Sequence, residues 1–325
     1  MFVNRMPQYF LTTARERNVT RAAEKLFISQ SSLSQHLAKL EAELGCTLFD
    51  RSRSPLELTE AGMLYKKYLE NTLYTYQRFE AELSDLAASK AQTVSIGVGN
   101  WRGSILIPEI LPSFLENHEN VLVNLNEFPV SELIPKLQSG SIDFAVMNIA
   151  VDNVPRDLAC DVIGYERVLI AARGDLPLAQ ALLAASESGA GILPETMAKE
   201  RLLSLSSRLT IGSTVENFLE VTRIAPSSRI NSTNNRTLLR LCAEGMGYSF
   251  MVESGIGESV FYPAVHFFDL QMPELSVPLV FLYQKNSYLS PVAEALMEEV
   301  RSYYLALFKE NRASEKIRSA GLLFS

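Results

Sequence analysis

Three residue types are scarce in this chain of 325 residues, which contains three cysteines, three histidines and one tryptophan. The cysteine count is odd and no CxxC pair occurs, which argues against a disulfide framework or a zinc site and for a reducing compartment. No GxSxG, HExxH or Walker motif occurs either, so nothing in the sequence supports an enzyme, a metal or a bound cofactor. The scarce residues are Cys46, Cys160, Cys242, His36, His118, His266 and Trp101.

Long apolar runs are also absent. The sequence contains no stretch of 18 uncharged apolar residues, which predicts no transmembrane helix and no membrane partner. The N-terminal segment is interrupted by Arg5, Arg15 and Arg17 and lacks the continuous apolar region of a signal peptide. We therefore expect a cytoplasmic protein.

Positive charge is in deficit overall but not at the N-terminus. The net charge is −7, whereas residues 1–60 carry eight Lys and Arg against seven Asp and Glu. DNA would repel the acidic bulk of the chain, so any contact with DNA is expected in the near-neutral N-terminal segment.

The first sixty residues have the pattern of three short helices. We predict helices over about 7–16 and 19–26, and a third that begins after Ser29 and ends at Gly45. Asn18 and Ser29 are suitable N-caps, and Gly45 suits the left-handed residue that ends a helix. Two short helices joined by about three residues form a helix-turn-helix, whose second helix enters the major groove with its N-terminal part.

The third helix has two contrasting sides. Leucines at helical spacing, Leu33, Leu37, Leu40 and Leu44, form an apolar stripe. The other side is polar and almost uncharged, and Gln and Ser side chains can bond to base edges. The predicted DNA contacts on this helix are Gln30, Ser31, Ser34, Gln35, His36 (to phosphate) and Lys39.

Two features follow this helix. Strands at 48–49 and 56–58 flank the turn DRSRSP and form a wing, whose Arg51 and Arg53 are predicted to reach phosphates or a minor groove.

Residues 60–88 contain no proline and form a predicted helix of about 40 Å. Two apolar stripes on it predict dimerisation as well as packing on its own domain. The stripes are Tyr65, Tyr68, Phe79, Leu86 and Leu69, Leu73, Tyr76, Leu83.

From Thr93 onward, strands alternate with helices. Strands at 94–98, 121–126 and 142–147 alternate with helices at 103–116 and 131–138. This βαβαβ order predicts an α/β fold with a parallel sheet. A second such set follows over about 165–252, and a strand and a long helix close the pattern, so we expect two α/β lobes.

Open α/β sheets bind ligands beyond the carboxyl ends of their strands, where helix N-termini favour anions. The segments GNWRGS (99–104) and FPVSEL (128–133) lie at such places, and 204–206 and the helix start at Asn234 are their counterparts in the second lobe. Trp101 could stack on a ligand or plug the cleft, and Arg102 could pair with a carboxylate or face solvent. The candidate residues are Asn100, Trp101, Arg102, Ser104, Phe128, Val130 and Ser204.

A series of short motifs occurs within residues 22–62: Ala22-Ala23, Ser29-Gln30, Leu40-Glu41, Leu44-Gly45, Leu48-Phe49-Asp50-Arg51 and Leu58-Thr59-Glu60-Ala61-Gly62. In this order they resemble the winged helix-turn-helix of LysR-type transcriptional regulators. The pieces SGSIDFAVMN, GDLPLA and CAEGMGYSFM extend the resemblance, more weakly, over nearly the whole chain. Ser31 stands where the family often has proline and Gln35 where it often has arginine, which should alter the preferred DNA sequence.

The resemblance implies an architecture. It consists of a winged helix-turn-helix DNA-binding domain at 1–59, a linker helix at 60–90 and an effector-binding domain at 91–325 that resembles periplasmic binding proteins. Lobe I would comprise about 91–162 and 267–310, and lobe II about 163–266, with the tail beyond 310 unplaced.

The resemblance also implies partners. It predicts a homodimer or homotetramer on a double-stranded DNA operator and a small-molecule effector between the lobes. RNA polymerase is left open as a further partner.

Two alternative functions stay open. A metabolite-binding protein would use the N-terminal domain only for interaction, against which the intact wing and the missing signal peptide argue. A thiol-redox regulator would need Cys160 and Cys242 to pair. They fall in different predicted lobes. Neither has a basic neighbour that would lower its thiol pKa, apart from the more distant Arg240.

Overall fold

The computed structural model describes residues 6–86, 92–189, 191–192, 194–285, 287–314 and 317–322. The chain divides into two compact units, Met1–Glu80 and Ala81–Ser325. Within the described residues, every helix is too short or too polar to span a bilayer.

The N-terminal unit contains the predicted helices, wing and long helix. Its elements are α1 (Met6–Glu16), α2 (Val19–Lys25), α3 (Gln30–Leu44), β1 (Phe49–Asp50), β2 (Glu57–Leu58) and the part up to Glu80 of α4 (Glu60–Leu86). The two short strands pair antiparallel, as a wing requires. The last residues of the predicted linker, 87–90, and the side chains of Leu73 and Leu86 lie outside the described part of the chain.

The predicted caps set the helix ends of this unit. The Asn18 side chain accepts a hydrogen bond from the backbone N–H of Arg21, and the Ser29 side chain accepts one from the N–H of Ser32. These bonds satisfy amides that the first turn of a helix leaves unpaired. Gly45 ends α3 at a φ of 70°, in the left-handed region that glycine tolerates.

The core of the N-terminal unit forms where the three short helices, the wing and the start of α4 meet. Its buried members are Tyr9, Phe10, Ala22, Ala23, Leu33, Leu37, Leu40, Leu48, Phe49 and Leu69. Leu44, the fourth leucine of the predicted stripe, is instead 45 % exposed, because it is the last residue of α3.

The C-terminal unit begins with the predicted βαβαβ order. Its first elements are β3 (Gln92–Val98), α5 (Asn100–Asn117), β4 (Val121–Glu127), α6 (Val130–Ser139) and β5 (Phe144–Asn148). β3 lies between β4 and β5 and is parallel to both. Helix α5 begins three residues earlier than predicted, so Asn100, Trp101 and Arg102 form its first turn.

The elements of the second lobe follow. They are β6 (Leu158–Arg173), α7 (Pro177–Ser188), β7 (Gly191–Ile192), α8 (Pro194–Ala198), β8 (Arg201–Leu205), α9 (Thr210–Thr222), β9 (Ser228–Ser232), α10 (Asn235–Ala243), β10 (Tyr248–Val252) and β11 (Val265–Asp269). A 3-10 turn at Glu253–Phe261 connects the last two strands. The short β7, α8 and β11 were not predicted.

The chain then returns to the first lobe. Its last elements are β12 (Ser276–Gln284), α11 (Pro291–Ala313), β13 (Ile317–Ser319) and β14 (Gly321–Leu322). The main strand order is β4-β3-β5-β12-β6-β10-β8-β9. The N-terminal part of β6 pairs with β12, and its C-terminal part pairs with β10 and β11, so this one strand belongs to both lobes.

The cores of the two lobes locate the crossings between them. On β6, Ile163 belongs to the core of lobe I and Val168 to that of lobe II. On β12, Val277 is in the core of lobe II and Leu279 in that of lobe I. The return crossing therefore lies about ten residues after the expected position at 267, because β11 pairs with β6 in lobe II.

The C-terminal tail, which the sequence analysis leaves unplaced, joins lobe II. β13 pairs parallel with β11, and β14 pairs parallel with β7. Ala320 between them is 2 % exposed and donates its backbone N–H to the carbonyl of Asp269 at 2.9 Å. Strands of two or three residues carry too little alternation for a sequence pattern to predict them.

Candidate DNA-binding surface and interlobe site

The polar face of α3 consists of the predicted residues Gln30, Ser31, Ser34 and Gln35. All but the half-buried Ser34 are exposed, because the leucines of the opposite side are anchored in the core. Gln30 Nε2 donates to Ser34 Oγ at 3.0 Å, and the hydroxyls of Ser29 and Ser31 are 3.0 Å apart. This face therefore presents short, neutral donors and acceptors, the groups that can match base edges in a major groove.

The other two predicted residues of α3 lie differently. Lys39 is exposed, with its Nζ 3.9 Å from Glu43 Oε1 one turn further along the helix. His36 is half-buried, and its ring packs on that of Tyr9 with the centroids 4.9 Å apart. Since Tyr9 belongs to α1, His36 lies at the junction of α3 with α1.

The wing presents Arg51 and Arg53, whose side chains are more than half exposed but paired with carboxylates. Arg51 Nη2 lies 3.0 Å from Glu41 Oε2, and Arg53 Nη1 lies 2.7 Å from Glu57 Oε2. Hydrogen bonds from Ser52, together with the charge of Arg53, hold the pKa of the exposed Asp50 carboxyl below its usual value. DNA phosphates would compete with these carboxylates, and exposed ion pairs are weak enough to be exchanged.

Glu41 links α3 to the wing, a role that sequence reasoning did not assign to it. Its Oε1 accepts hydrogen bonds from the backbone N–H groups of Leu48 at 2.8 Å and Phe49 at 3.2 Å, while its Oε2 pairs with Arg51. The only signal in the sequence is the Leu40-Glu41 motif of the family resemblance, because a glutamate on a helix otherwise looks like a solvated residue.

The N-termini of α5, α6 and α9 lie at the carboxyl ends of β3, β4 and β8, as the fold rule predicts. Among the described side chains, none caps these three helices through a hydrogen bond. Their first N–H groups can therefore donate to an acceptor atom of a ligand. A Cβ added at Gly99, which precedes α5, would meet no described atom within 4 Å, so open space lies there.

Arg102 is buried, with 7 % of its surface exposed, and neither faces solvent nor presents a free guanidinium. Its Nη2 donates to Glu166 Oε2 at 2.7 Å and to Asn148 Oδ1, and its Nη1 donates to Tyr304 Oη at 2.8 Å and Ser254 Oγ at 3.3 Å. The guanidinium thus joins α5, β5, the crossing strand β6, α11 and the 253–261 turn of lobe II.

The electrostatics of this buried cluster keep Arg102 charged. Burial lowers the pKa of Arg102, but the charge of Glu166, the phenol of Tyr304 and the hydrogen bonds to both together outweigh that effect, and the net shift is upward. Burial raises the pKa of Tyr304 to about 12, against the opposing effect of Arg102. The cluster therefore holds a stable ion pair and a neutral phenol at the crossing between the lobes.

Trp101, the residue before Arg102 on α5, bridges the two lobes. Its ring packs against the core of lobe II and contacts the backbone at Gly255, where an added Cβ would collide with it. The buried indole N–H of Trp101 and the second carboxylate oxygen of Glu166 find no hydrogen-bond partner among the described residues. Two polar atoms at this junction therefore have unused hydrogen-bonding capacity.

Direct hydrogen bonds connect the lobes beside Trp101. Arg236 Nη2 of α10 donates to Ser104 Oγ of α5 at 3.3 Å, and Thr210 Oγ1 of α9 donates to the carbonyl of Asn148 at 2.8 Å. We call the region around Asn100–Ser104, Thr210 and Arg236 the interlobe seam. Asn100 is exposed at its edge.

The other three candidate residues are less accessible. Phe128 and Val130 pack against the core of lobe I, and Lys136 Nζ lies 4.5 Å from the centroid of the Phe128 ring. Ser204 is 2 % exposed, and its hydroxyl donates to the carbonyl of Leu205. The structure therefore brings Asn100, Trp101 and Ser104 together at the seam and places Ser204 inside lobe II.

Burial affects the thiol pKa of two of the three cysteines. Burial raises the pKa of Cys242 to about 12, and burial together with the charge of Asp161 raises that of Cys160. Among the described residues, no three His, Cys, Asp or Glu side chains gather as a metal site would require.

Two family models match this chain. The model of the LysR substrate binding domain matches residues 87–304, and that of the bacterial regulatory helix-turn-helix protein of the lysR family matches residues 5–63. The first match alone spans more than half of the chain.

Two relatives match this chain over most of their length. The uncharacterized HTH-type transcriptional regulator YybE of Bacillus subtilis is 26 % identical over 299 residues, which cover 91 % of this chain and 97 % of the relative. The probable RuBisCO transcriptional regulator of Synechocystis is 25 % identical over 292 residues, or 88 % of this chain and 82 % of that protein.

Solved structures agree in fold. CbnR, solved with its target DNA, has a TM-score of 0.63 at 20 % identity, over 92 % of this chain and 98 % of CbnR. Full-length BenM has a TM-score of 0.55 at 24 % identity, over 93 % of this chain and 96 % of BenM. With both domain models matched in order along one chain, this protein belongs to the LysR family of transcriptional regulators and combines a DNA-binding domain with an effector-binding domain.

Proposed function

We propose that this protein regulates transcription by binding specific DNA sequences through the polar face of α3, with Arg51 and Arg53 of the wing contacting phosphates. The observation that carries the proposal is the exposure of short neutral side chains on α3, opposite leucines that fix the helix in its domain. His36 and Lys39 would add contacts at the groove edge. In this division residues 1–59 bind DNA, 60–90 dimerise and 91–325 bind the effector.

We infer that α4 dimerises the chain. Leu64, Tyr68, Phe79 and Leu83 of this helix are exposed by about half or more, an unusual apolar content for a solvated helix. Pairing through α4 would place two copies of α3 about 34 Å apart, one turn of DNA, and two such dimers would form a tetramer. Such a complex acts where the chromosome is, in the cytoplasm of a bacterium, and could meet RNA polymerase there.

We further infer that a small-molecule effector binds at the interlobe seam. The uncapped first turn of α5, the open space at Gly99 and the exposed Asn100 and Ser104 support this location. Phe128 and Val130 would form its apolar floor. Arg102 would position α5 from within the buried cluster rather than touch the effector. The effector acts only if it binds one lobe arrangement more tightly than another.

The DNA-binding part is tested by fluorescence anisotropy with DNA from upstream of the protein's own gene, over a range of salt concentrations. Arg53→Ala should weaken binding to every sequence and reduce the salt slope by about one. Gln30→Ala should instead relax discrimination at particular bases, by about 1–3 kcal/mol. Absence of binding at low salt would contradict the proposal, and so would an equal loss for both variants on all sequences.

The effector part is tested by the fluorescence of Trp101, the single tryptophan of the chain. Titration with small-molecule fractions of a bacterial extract should give a saturable change. Ser104→Phe, which fills the seam, should abolish that change. Binding of every fraction by the variant as by the wild type would place the effector elsewhere.

A further inference from the structure

Phe27, in the turn between α2 and α3, is the most exposed large apolar side chain among the described residues, at 95 %. Its neighbours Leu26 and Ile28 pack against the core of the N-terminal unit. Phe27 therefore makes almost no packing contribution within its own chain.

The backbone of Phe27 is also unfavourable for its residue type. Its φ is 55°, in the left-handed region that glycine adopts at little cost and a bulky aromatic residue does not. The turn requires this conformation, because Ile28 donates its N–H to the carbonyl of Ala23 at 3.1 Å to close the end of α2. An exposed aromatic ring at such a position costs stability without any gain from packing.

The position of Phe27 along the chain indicates a partner. Phe27 stands two residues before Ser29, the N-cap of α3, and three before Gln30, the first residue of the polar face. The N-terminal end of a recognition helix enters the major groove, so a side chain that projects just before it meets the edge of the groove. Apolar groups are present there, namely deoxyribose carbons and thymine methyls.

We propose that Phe27 is a DNA-contact residue whose ring packs on apolar groups of the operator at the groove edge. The inference rests on the proposed function, since it places α3 in the groove. The contact adds apolar burial beside the polar face of α3 and so accounts for an aromatic residue where glycine would stabilise the free protein.

The test compares the full-length Phe27→Gly variant with wild type in thermal unfolding and in anisotropy on the upstream DNA. The melting temperature should rise because backbone strain is relieved, while affinity should fall about tenfold because the ring is lost. Phe27→Ala should lose the same affinity without the gain in melting temperature. Arg223→Gly is the matched control, since Arg223 ends α9 with a φ of 57° and should change stability only.

The source of the contact is read from DNA made with deoxyuridine in place of thymidine. If the ring packs on a thymine methyl, wild type should bind this DNA about fourfold more weakly than the thymidine DNA. Phe27→Gly should bind the two DNAs equally. If neither protein distinguishes the two DNAs, the ring packs on deoxyribose.

Equal affinity of Phe27→Gly and wild type for DNA would overturn the inference. A changed oligomeric state at unchanged affinity would overturn it in favour of self-association, and a lowered melting temperature would show that the ring packs within the protein. A wild-type protein that binds no DNA would instead remove the proposed function itself.

Discussion

Arg102 and Glu166 form an ion pair whose side chains are 8 % and 0 % exposed. Removing one member of such a pair leaves an uncompensated buried charge, whereas replacing both with apolar residues is often tolerated. Arg102→Leu should therefore lower the free energy of unfolding of the C-terminal unit by about 3–5 kcal/mol. Urea unfolding followed by Trp101 fluorescence measures this change.

The double variant Arg102→Leu/Glu166→Leu is the control. It should recover most of the stability that Arg102→Leu loses, because no buried charge is left alone. A double variant that is as unstable as the sum of the two single variants would contradict the assignment of the loss to charge burial.

The three cysteines should differ in reactivity. The thiolate is the reactive form, and a raised pKa reduces its fraction at a given pH. At pH 8 the exposed Cys46 should react with iodoacetamide first and Cys160 more slowly, while Cys242, with its pKa raised to about 12, should react only after unfolding. Peptide mass spectrometry gives the order, and early labelling of Cys242 would contradict its burial.

The raised pKa of Cys242 also predicts how the stability of the protein changes at alkaline pH. The folded protein holds the Cys242 proton more tightly than the unfolded chain, whose thiol has a pKa near 9.0. The stability that this proton provides is complete below pH 9.0 and declines as the pH rises from there toward about 12. Cys242→Ala should reduce this decline, which urea unfolding at a series of pH values would measure.

At the scale of elements, α3 and the wing depend on each other through Glu41. Glu41→Ala leaves two backbone N–H groups and one arginine without their acceptor. The free energy of unfolding of the N-terminal unit should therefore fall by about 1–3 kcal/mol. Thermal unfolding by circular dichroism measures the loss. Glu43→Ala on the same helix is the matched control and should have little effect, since the ion pair of Glu43 with Lys39 is long and exposed.

Periodicity predicted the long elements well and the short ones poorly. Helix α3 carries its leucines and its caps within its own sequence, so its position and its exposed side were predictable. β7, β11, β13 and β14 have two to five residues each, and their pairing partners lie far away in the chain. No local pattern carries that information, which explains why the tail could not be placed.

For the whole molecule, the C-terminal tail is a third connection between the lobes. Helix α11 packs in the core of lobe I, while Ala320 and the pairing of β13 and β14 fix the tail in lobe II. Removal of residues 315–325 should therefore accelerate amide hydrogen exchange in β11 and lower the melting temperature of the C-terminal unit. Removal of 323–325 alone is the control, and exchange in β11 that is unaffected by the longer truncation would contradict this role.

The sequence by itself determined the order of the domains, the caps and leucines of α3, the neutral polar face and the βαβαβ pattern, because these depend on neighbouring residues and on helix or strand periodicity. It also pointed to Asn100–Ser104 as a candidate site. Only the tertiary structure decided what those side chains touch. Arg102 looked available for a carboxylate ligand, yet Asn148, Glu166, Ser254 and Tyr304 surround it. These partners come from four separate elements up to 202 positions away along the chain, and folding alone brings them together.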